Sequence, residues 1–332
     1  MTAGDCPGRD PKSCPAGNAS TLLPEGLADL PVLTLSGKIR VLLTFLLFLV
    51  STAFNVSFLL KLGKGGQRQE EGKKRRLPRM KVLLKHLAAA NLLETLIVMP
   101  LDGVWNVTVQ WYGGGLLCKA LSYLKLFSMY APAFMMAAIS LDRCLALTRP
   151  LAVQNLTQIG RGLIGLAWFL SGALAGPQLY IFRMIYITDS SGKMDTFSQC
   201  VTLSSFPEWW QEAFYNLFTF HCLFIAPLFI MLVCNVRIIF AMTRGLRQDP
   251  RSLELNRSKN NIPRARLKTL KMTVAFAVLF TVCWTPYYVL GIWYWFEPEM
   301  LNRVPDPVSH FFFLFGLLNP CLDPLIYGYF SL

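Results

Sequence analysis

Four stretches of this chain run for about 20 residues or more without one formally charged side chain: Val41 to Leu60, Leu163 to Phe182, Ala213 to Val236 and Met272 to Phe296. A stretch of that length crosses the hydrocarbon of a bilayer as a helix. Three more are nearly as apolar. Val82 to Leu101 is interrupted after its first turn only by Glu94, Leu116 to Leu141 carries Lys119 and Lys125, and Val308 to Leu332 carries Asp323. Without water, each backbone N–H and C=O must be satisfied inside the span, which leaves helices or closed barrels. These runs lack the in-out alternation of a barrel. The pattern predicts an all-α membrane protein, a bundle of seven transmembrane helices.

Composition agrees. Charged residues are 15% of the 332, against about 25% in an ordinary soluble protein. Hydrophobic residues reach 54%, too many for disorder. The net charge of +13 would raise the question of nucleic acid if it were spread evenly. It is segregated instead. Ten bases, from Lys61 through Arg75 and Arg76 to Lys85, fill the first connection, and Arg143, Arg149 and Arg161 surround the third. Arg237, Arg244, Arg247, Arg264, Arg266 and Lys271 are among those crowding the fifth. The even-numbered connections carry Asp102, Asp189, Asp195, Glu208, Glu297 and Asp306. Basic loops stay inside, so the N-terminus is expected outside and the C-terminus inside. The layout is an external segment at 1–37 and a seven-helix domain at 38–332, with basic connections about 62–80 and 244–266. The first 31 residues lack a basic start before an apolar core, so the first span is expected to serve as the export signal.

That topology sorts the cysteines and sequons. Cys6, Cys14, Cys118 and Cys200 fall on the oxidising side, and Cys118 with Cys200 is the favoured disulfide, tying the second external loop over the bundle. The cysteines inside spans read as small packing residues. Asn18 and Asn106 are external sequons, with Asn18 the expected glycan site. Asn55, Asn155 and Asn256 lie in the bilayer or inside and should be bare. Asn106 is close to the membrane surface and is expected to be unmodified.

Charged groups within spans are costly and mark function unless paired. Glu94 and Lys125 lie at matching depth with opposite sign, which predicts a buried ion pair. It serves either as a bridge between two helices or as a site where Lys125 is shared with a ligand's acceptors. Asn91 can hydrogen-bond Asp323 at similar depth, as a polar switch or as helix glue. Prolines 100, 132, 177, 227, 286, 320 and 324 interrupt the spans and allow kinks.

Several motifs now stand in order on seven spans. Leu141-Asp142-Arg143-Cys144 ends the third, Trp168 lies in the fourth, Cys283-Trp284-Thr285-Pro286-Tyr287 in the sixth and Asp323-Pro324-Leu325-Ile326-Tyr327 in the seventh. With Cys118 and Cys200, the chain resembles the rhodopsin-like G-protein-coupled receptors. The runs Leu92 to Gly103, Tyr123 to Tyr130 and Ser258 to Arg266 resemble one tailless branch of it, whose ligand is a decapeptide hormone. So does the exchange that places Asn91 where aspartate is usual and Asp323 where asparagine is usual. The chain stops at Leu332, just after the seventh span, as that branch does.

The resemblance implies roles. Asp102, Asn106 and Lys125 would contact the two ends of a bent decapeptide. Asn216 and Tyr294 would line the cavity, and Asp306 would take the hormone's arginine, as a carboxylate takes a bidentate guanidinium. Trp105, Tyr287, Tyr288 and Trp293 would supply an aromatic rim; for Trp293 and Trp295, bundle packing is an equal reading. Asp142, Arg143, Trp284, Pro286, Asn91, Asp323 and Tyr327 would form the activation switch, opening a cytoplasmic cleft to a Gq-class heterotrimeric G protein that signals to phospholipase C and calcium. Without a tail, arrestin engagement is expected to be weak. Two departures stand out: Cys144 replaces the usual tyrosine, and Ser204 replaces the cysteine that would bridge to the N-terminal segment. Cys14 then pairs with Cys6 or stays free.

Other classes fit less well. A retinal protein needs a lysine in its last span, and none lies between Val304 and Leu332. A transporter is disfavoured by the odd span number and the lack of an internal repeat. An enzyme is disfavoured because His86, His221 and His310 form no ligand spacing. No cofactor or metal is expected, and the partners expected are peptide, G protein and lipid.

Overall fold

The protein is described by a computed structural model over residues 33–67, 79–148, 156–187, 197–203, 205–248, 261–297, 300 and 303–331. The elements are α1 (Leu35–Gln67), α2 (Arg79–Thr108), α3 (Gly114–Thr148), α4 (Leu156–Ala175), α5 (Gln178–Ile181), β1 (Arg183–Ile187), β2 (Phe197–Val201), α6 (Trp209–Phe220), a π-helical turn at His221–Ile225, α7 (Ala226–Gln248), α8 (Asn261–Phe296), α9 (Asp306–Gly316) and α10 (Leu318–Ser331). Among the described residues they build seven helical spans long and apolar enough to cross a membrane.

The helices outrun their apolar cores. α8 starts at Asn261, three turns before the uncharged run begins at Met272. Lysine and arginine are good helix formers, and their long stems let the charge reach water from a helix end. Hydropathy therefore marks the hydrocarbon, not the helix.

Prolines explain the interruptions. Pro177 stands at the N-terminus of the four-residue α5, so the fourth span breaks there. Pro227 has no N–H to return to Leu223, and the turn before it opens to π geometry. Pro320 cannot donate to Gly316, and the seventh span divides at Leu317 between α9 and α10. Pro100, Pro132, Pro286 and Pro324 are carried inside continuous helices.

α3 is the most buried span and α1 the least. α3 packs against α2, α4, α7 and α8, while α1 packs on α2, α9 and α10. The core runs down the middle, with Tyr130, Met135, Met136, Ile139, Phe276 and Tyr327 at its centre. Leu42, Phe45, Leu46 and Leu49 on α1 and Phe229, Leu232, Val236 and Phe240 on α7 are exposed apolar residues. On a membrane helix that outward face meets lipid.

The one sheet among the described residues is an antiparallel hairpin in which Met184 opposes Cys200 and Arg183 opposes Val201. Ser198 and Cys200 point inward, with their neighbours half-buried. Cys200 is disulfide-bonded to Cys118 at the start of α3, with Cα atoms 5.6 Å apart. The hairpin thus caps one end of the bundle. At the opposite end lie Arg79, Arg143, Arg244 and Arg266.

Candidate ligand cavity and switch region

α1, α2, α3, α8 and α9 bring a cluster of charges and rings together beneath the hairpin. Asp102, on α2, is buried. Its carboxylate accepts from Arg40 of α1, with Nε 3.1 Å from Oδ2, and the other Asp102 oxygen faces a second guanidinium nitrogen. The Arg40 guanidinium carbon lies 4.5 Å from the centre of the Phe313 ring, and the Lys125 ammonium 5.8 Å from it. Tyr287 meets Phe313 edge-on at 5.9 Å. Two cations and two rings therefore surround one carboxylate.

This corrects one expectation. Glu94 and Lys125 form no ion pair. Lys125 instead sits in the field of Asp102 and Arg40, and Glu94 in that of Asp323. Positions 94 and 102 are about 12 Å apart along an α-helix, so one lysine does not serve both levels. Asp102, at the span's edge, is the acid whose field reaches Lys125, but its carboxylate is paired with Arg40. Glu94 Oε1 is left buried with no hydrogen-bond partner.

Trp105 and Asn106 are spoken for locally. The Trp105 indole N–H donates to Gln199 Oε1 at 3.2 Å, and Gln199 Nε2 donates to the Val109 carbonyl at 2.6 Å. Ser198 Oγ donates to the Trp111 carbonyl at 2.6 Å. These bonds fasten the hairpin to the α2–α3 corner, where Val109 holds φ +60°. Asn106 Nδ2 donates to the Asp102 carbonyl at 2.7 Å, within helix α2. Tyr294, on α8, feels Glu212 of α6. Asn216 follows Glu212 by four residues and so shares its helix face. Asp306 opens α9, and its side chain lies outside the described residues, as do Asn18, Cys6, Cys14 and Ser204.

Below this cluster lie the residues that the resemblance assigns to an activation switch. Trp284 is buried, with Tyr287 and Tyr288 each 6.0 Å away. Gly316 lets the seventh span approach it, since a Cβ there would stand 3.1 Å from the indole. Asp323 Oδ2 accepts from Asn91 Nδ2 at 3.2 Å and Asn319 Nδ2 at 3.3 Å. Pro324 has no N–H for the Pro320 carbonyl four residues back. Asn55 Nδ2 supplies that bond at 2.9 Å and Ser51 Oγ a second at 3.2 Å. Tyr327 in turn donates its hydroxyl to Asn55 Oδ1 at 2.8 Å. A buried amide so engaged has no room for a glycan.

At the basic end, Asp142 accepts from Arg143 Nε at 2.9 Å. Arg79 Nε of α2 lies 2.9 Å from its other oxygen. Arg40, Phe313, Gln199 and Arg79 were not singled out from the sequence. Arg40, Phe313 and Gln199 belong to none of the motifs above, and Arg79 is one of the ten bases of the first connection. The alternation Phe197-Ser198-Gln199-Cys200-Val201 was the available strand signal.

The arrangement sets a cluster of charges and rings above a proline-bent polar core. The family model for the seven-transmembrane receptors of the rhodopsin family matches residues 70–327. The chain belongs to the rhodopsin family of receptors, in its gonadotropin-releasing hormone receptor branch. The gonadotropin-releasing hormone receptor of Trichosurus vulpecula is 78% identical over 304 residues, 92% of each chain. That of Homo sapiens is 71% identical over 326 residues, 98% of each, and that of Ovis aries 70% over the full 332. Receptors of this family are multi-pass proteins of the plasma membrane and are not enzymes, and the seven spans here agree.

Proposed function

We propose that the chain is a receptor for the decapeptide gonadotropin-releasing hormone, bound at the hairpin end, which faces outside. The observation that carries this reading is the cluster of Arg40, Asp102, Lys125, Phe313 and Tyr287. Two cations against one carboxylate leave a positive surplus beside an aromatic wall. A peptide presents such a site with carbonyl acceptors and rings. Identity of 70–78% with named receptors supports the choice of hormone.

In this reading Lys125 meets the acceptors at one end of the bent peptide, and Asp102 acts through the Arg40 it holds. Asn106, Trp105, Tyr287, Asn216 and Tyr294 complete the walls, and Asp306 takes the hormone's arginine. Residues 1–37 are external, 38–332 form the seven-helix domain, and Asn18 carries glycan. Hormone binding favours a bundle state in which the lower part of α8 swings about Pro286 and Trp284. It does so only by binding that state more tightly. Arg143 then engages a Gq-class G protein, leading to phospholipase C and calcium.

The test is inositol phosphate release from cells displaying the chain, on adding the decapeptide. Release with Asp306→Asn reduced for the arginine-containing hormone, but not for an analogue with glutamine in its place, supports the reading. A surface-displayed chain that ignores the hormone refutes it.

A further inference from the structure

The ion cluster at the basic end has one cation too many. Asp142 is fully buried, yet both its oxygens face a guanidinium. Arg143, the next residue on α3, donates in good geometry from Nε at 2.9 Å. Arg79, in the first turn of α2, comes equally close at 2.9 Å, but its Nε–H is not aimed at the oxygen, so the contact is ionic and not a hydrogen bond. α4 covers the pair. A Cβ on Gly160 would lie 3.2 Å from Arg79 Cδ, 3.3 Å from its Cγ and 3.4 Å from Asp142 Oδ1. Glycine therefore lets the α4 backbone rest on the stem of Arg79 and hold it in place.

A buried carboxylate is costly to leave without a partner. A lock of one aspartate and one arginine resists opening for that reason. Here the arginine that departs leaves another behind. We propose that Arg79 is a positioning residue for G-protein coupling: it is the standby counter-ion that keeps Asp142 compensated when Arg143 leaves to engage the G protein. Arg143 is the one free to go, because Arg79 is clamped beneath Gly160. The inference rests on the receptor reading above.

The test uses membranes from cells expressing the full chain. Decapeptide-stimulated nucleotide exchange on a Gq-class G protein is measured per peptide-binding site. Arg79→Gln should lower exchange about tenfold with binding sites retained, because Arg143 is now the sole partner of a buried charge. Arg79→Lys should keep most of it. Adding Asp142→Asn to Arg79→Gln should restore exchange, since no carboxylate remains to hold Arg143. Exchange at or above the wild-type level in Arg79→Gln overturns the proposal, as does a double variant no better than the single one. If Arg79→Gln loses its binding sites, Gly160→Ala decides: displacing the Arg79 stem should lower exchange with sites retained, and no change overturns the proposal. A wild-type chain silent to the peptide would sink the receptor reading instead.

Discussion

Lys125 is half-buried, and its ammonium faces the Phe313 ring with no carboxylate within ion-pair distance among the described residues. Arg40 has already claimed Asp102, so Lys125 is the cation with hydrogen-bonding capacity to spare. Lys125→Gln should therefore weaken hormone binding by about tenfold or more, in line with one charged hydrogen bond, with surface display little changed. Saturation binding beside surface labelling checks both halves. Arg40 and Asp102 behave differently, because breaking a buried pair strands a charge. Either Arg40→Gln or Asp102→Asn should cost roughly 3–5 kcal/mol in stability, visible as lost surface display. Changing both should recover part of it. Glu297 supplies a pH dependence outside the spans. The Trp293 indole N–H at 3.0 Å and Arg303 at 2.7 Å hold its carboxyl below the usual value. A depressed acid adds stability that is fully present above its unfolded pKa and fades as pH falls through the folded one. Hydrogen exchange at the Met300, Arg303 and Val304 amides, corrected for the intrinsic pH dependence of amide exchange, should be constant near neutrality and rise below pH 4.5, the ordinary value for the group. Glu297→Gln should abolish that rise. The pair is exposed, so the effect will be small.

At the scale of elements, the seven spans were legible because a missing charge over 20 residues is a statement about solvent, and solvent sets the helix. Asp323 meeting Asn91 was legible too, since complementary polar groups at one depth in hydrocarbon have few other partners. Partner choice at the span edges was not. Asp102 and Glu94 offer Lys125 the same charge, and only the three-dimensional depth separates them. The hairpin was hidden because five residues of alternation are weak beside long apolar runs. The proline rule did reach further than expected. Pro324 withholds an N–H, the Pro320 carbonyl turns to Asn55 and Ser51, and α1 is thereby stapled to α10. Asn55→Ala should leave that carbonyl with the longer Ser51 bond alone and cost about 1–3 kcal/mol. Thermal unfolding in detergent should report it as a lower midpoint. Pro324→Ala on that background returns a donor to the helix and should recover part of the loss.

For the whole molecule, we propose that charge sets which end faces the cell interior. The connections at the end opposite the hairpin hold most of the lysine and arginine, and such segments are retained inside during insertion. The disulfide at the hairpin end fits the oxidising side. The sequons turn this into a measurement. Asn18 precedes the first span. Asn155 and Asn256 belong to the third and fifth connections, beside the bases. Asn55 is buried and fully hydrogen-bonded, and Asn106 is bonded back into α2. Glycan is added only on the lumenal side, so Asn18→Gln should collapse the chain to the mobility seen after enzymatic deglycosylation. Asn155→Gln and Asn256→Gln should leave mobility untouched. A shift with either of those two and none with Asn18→Gln would invert the bundle. The cluster of Arg40, Asp102 and Lys125 would then lie at the cytosolic end, where no secreted peptide reaches it.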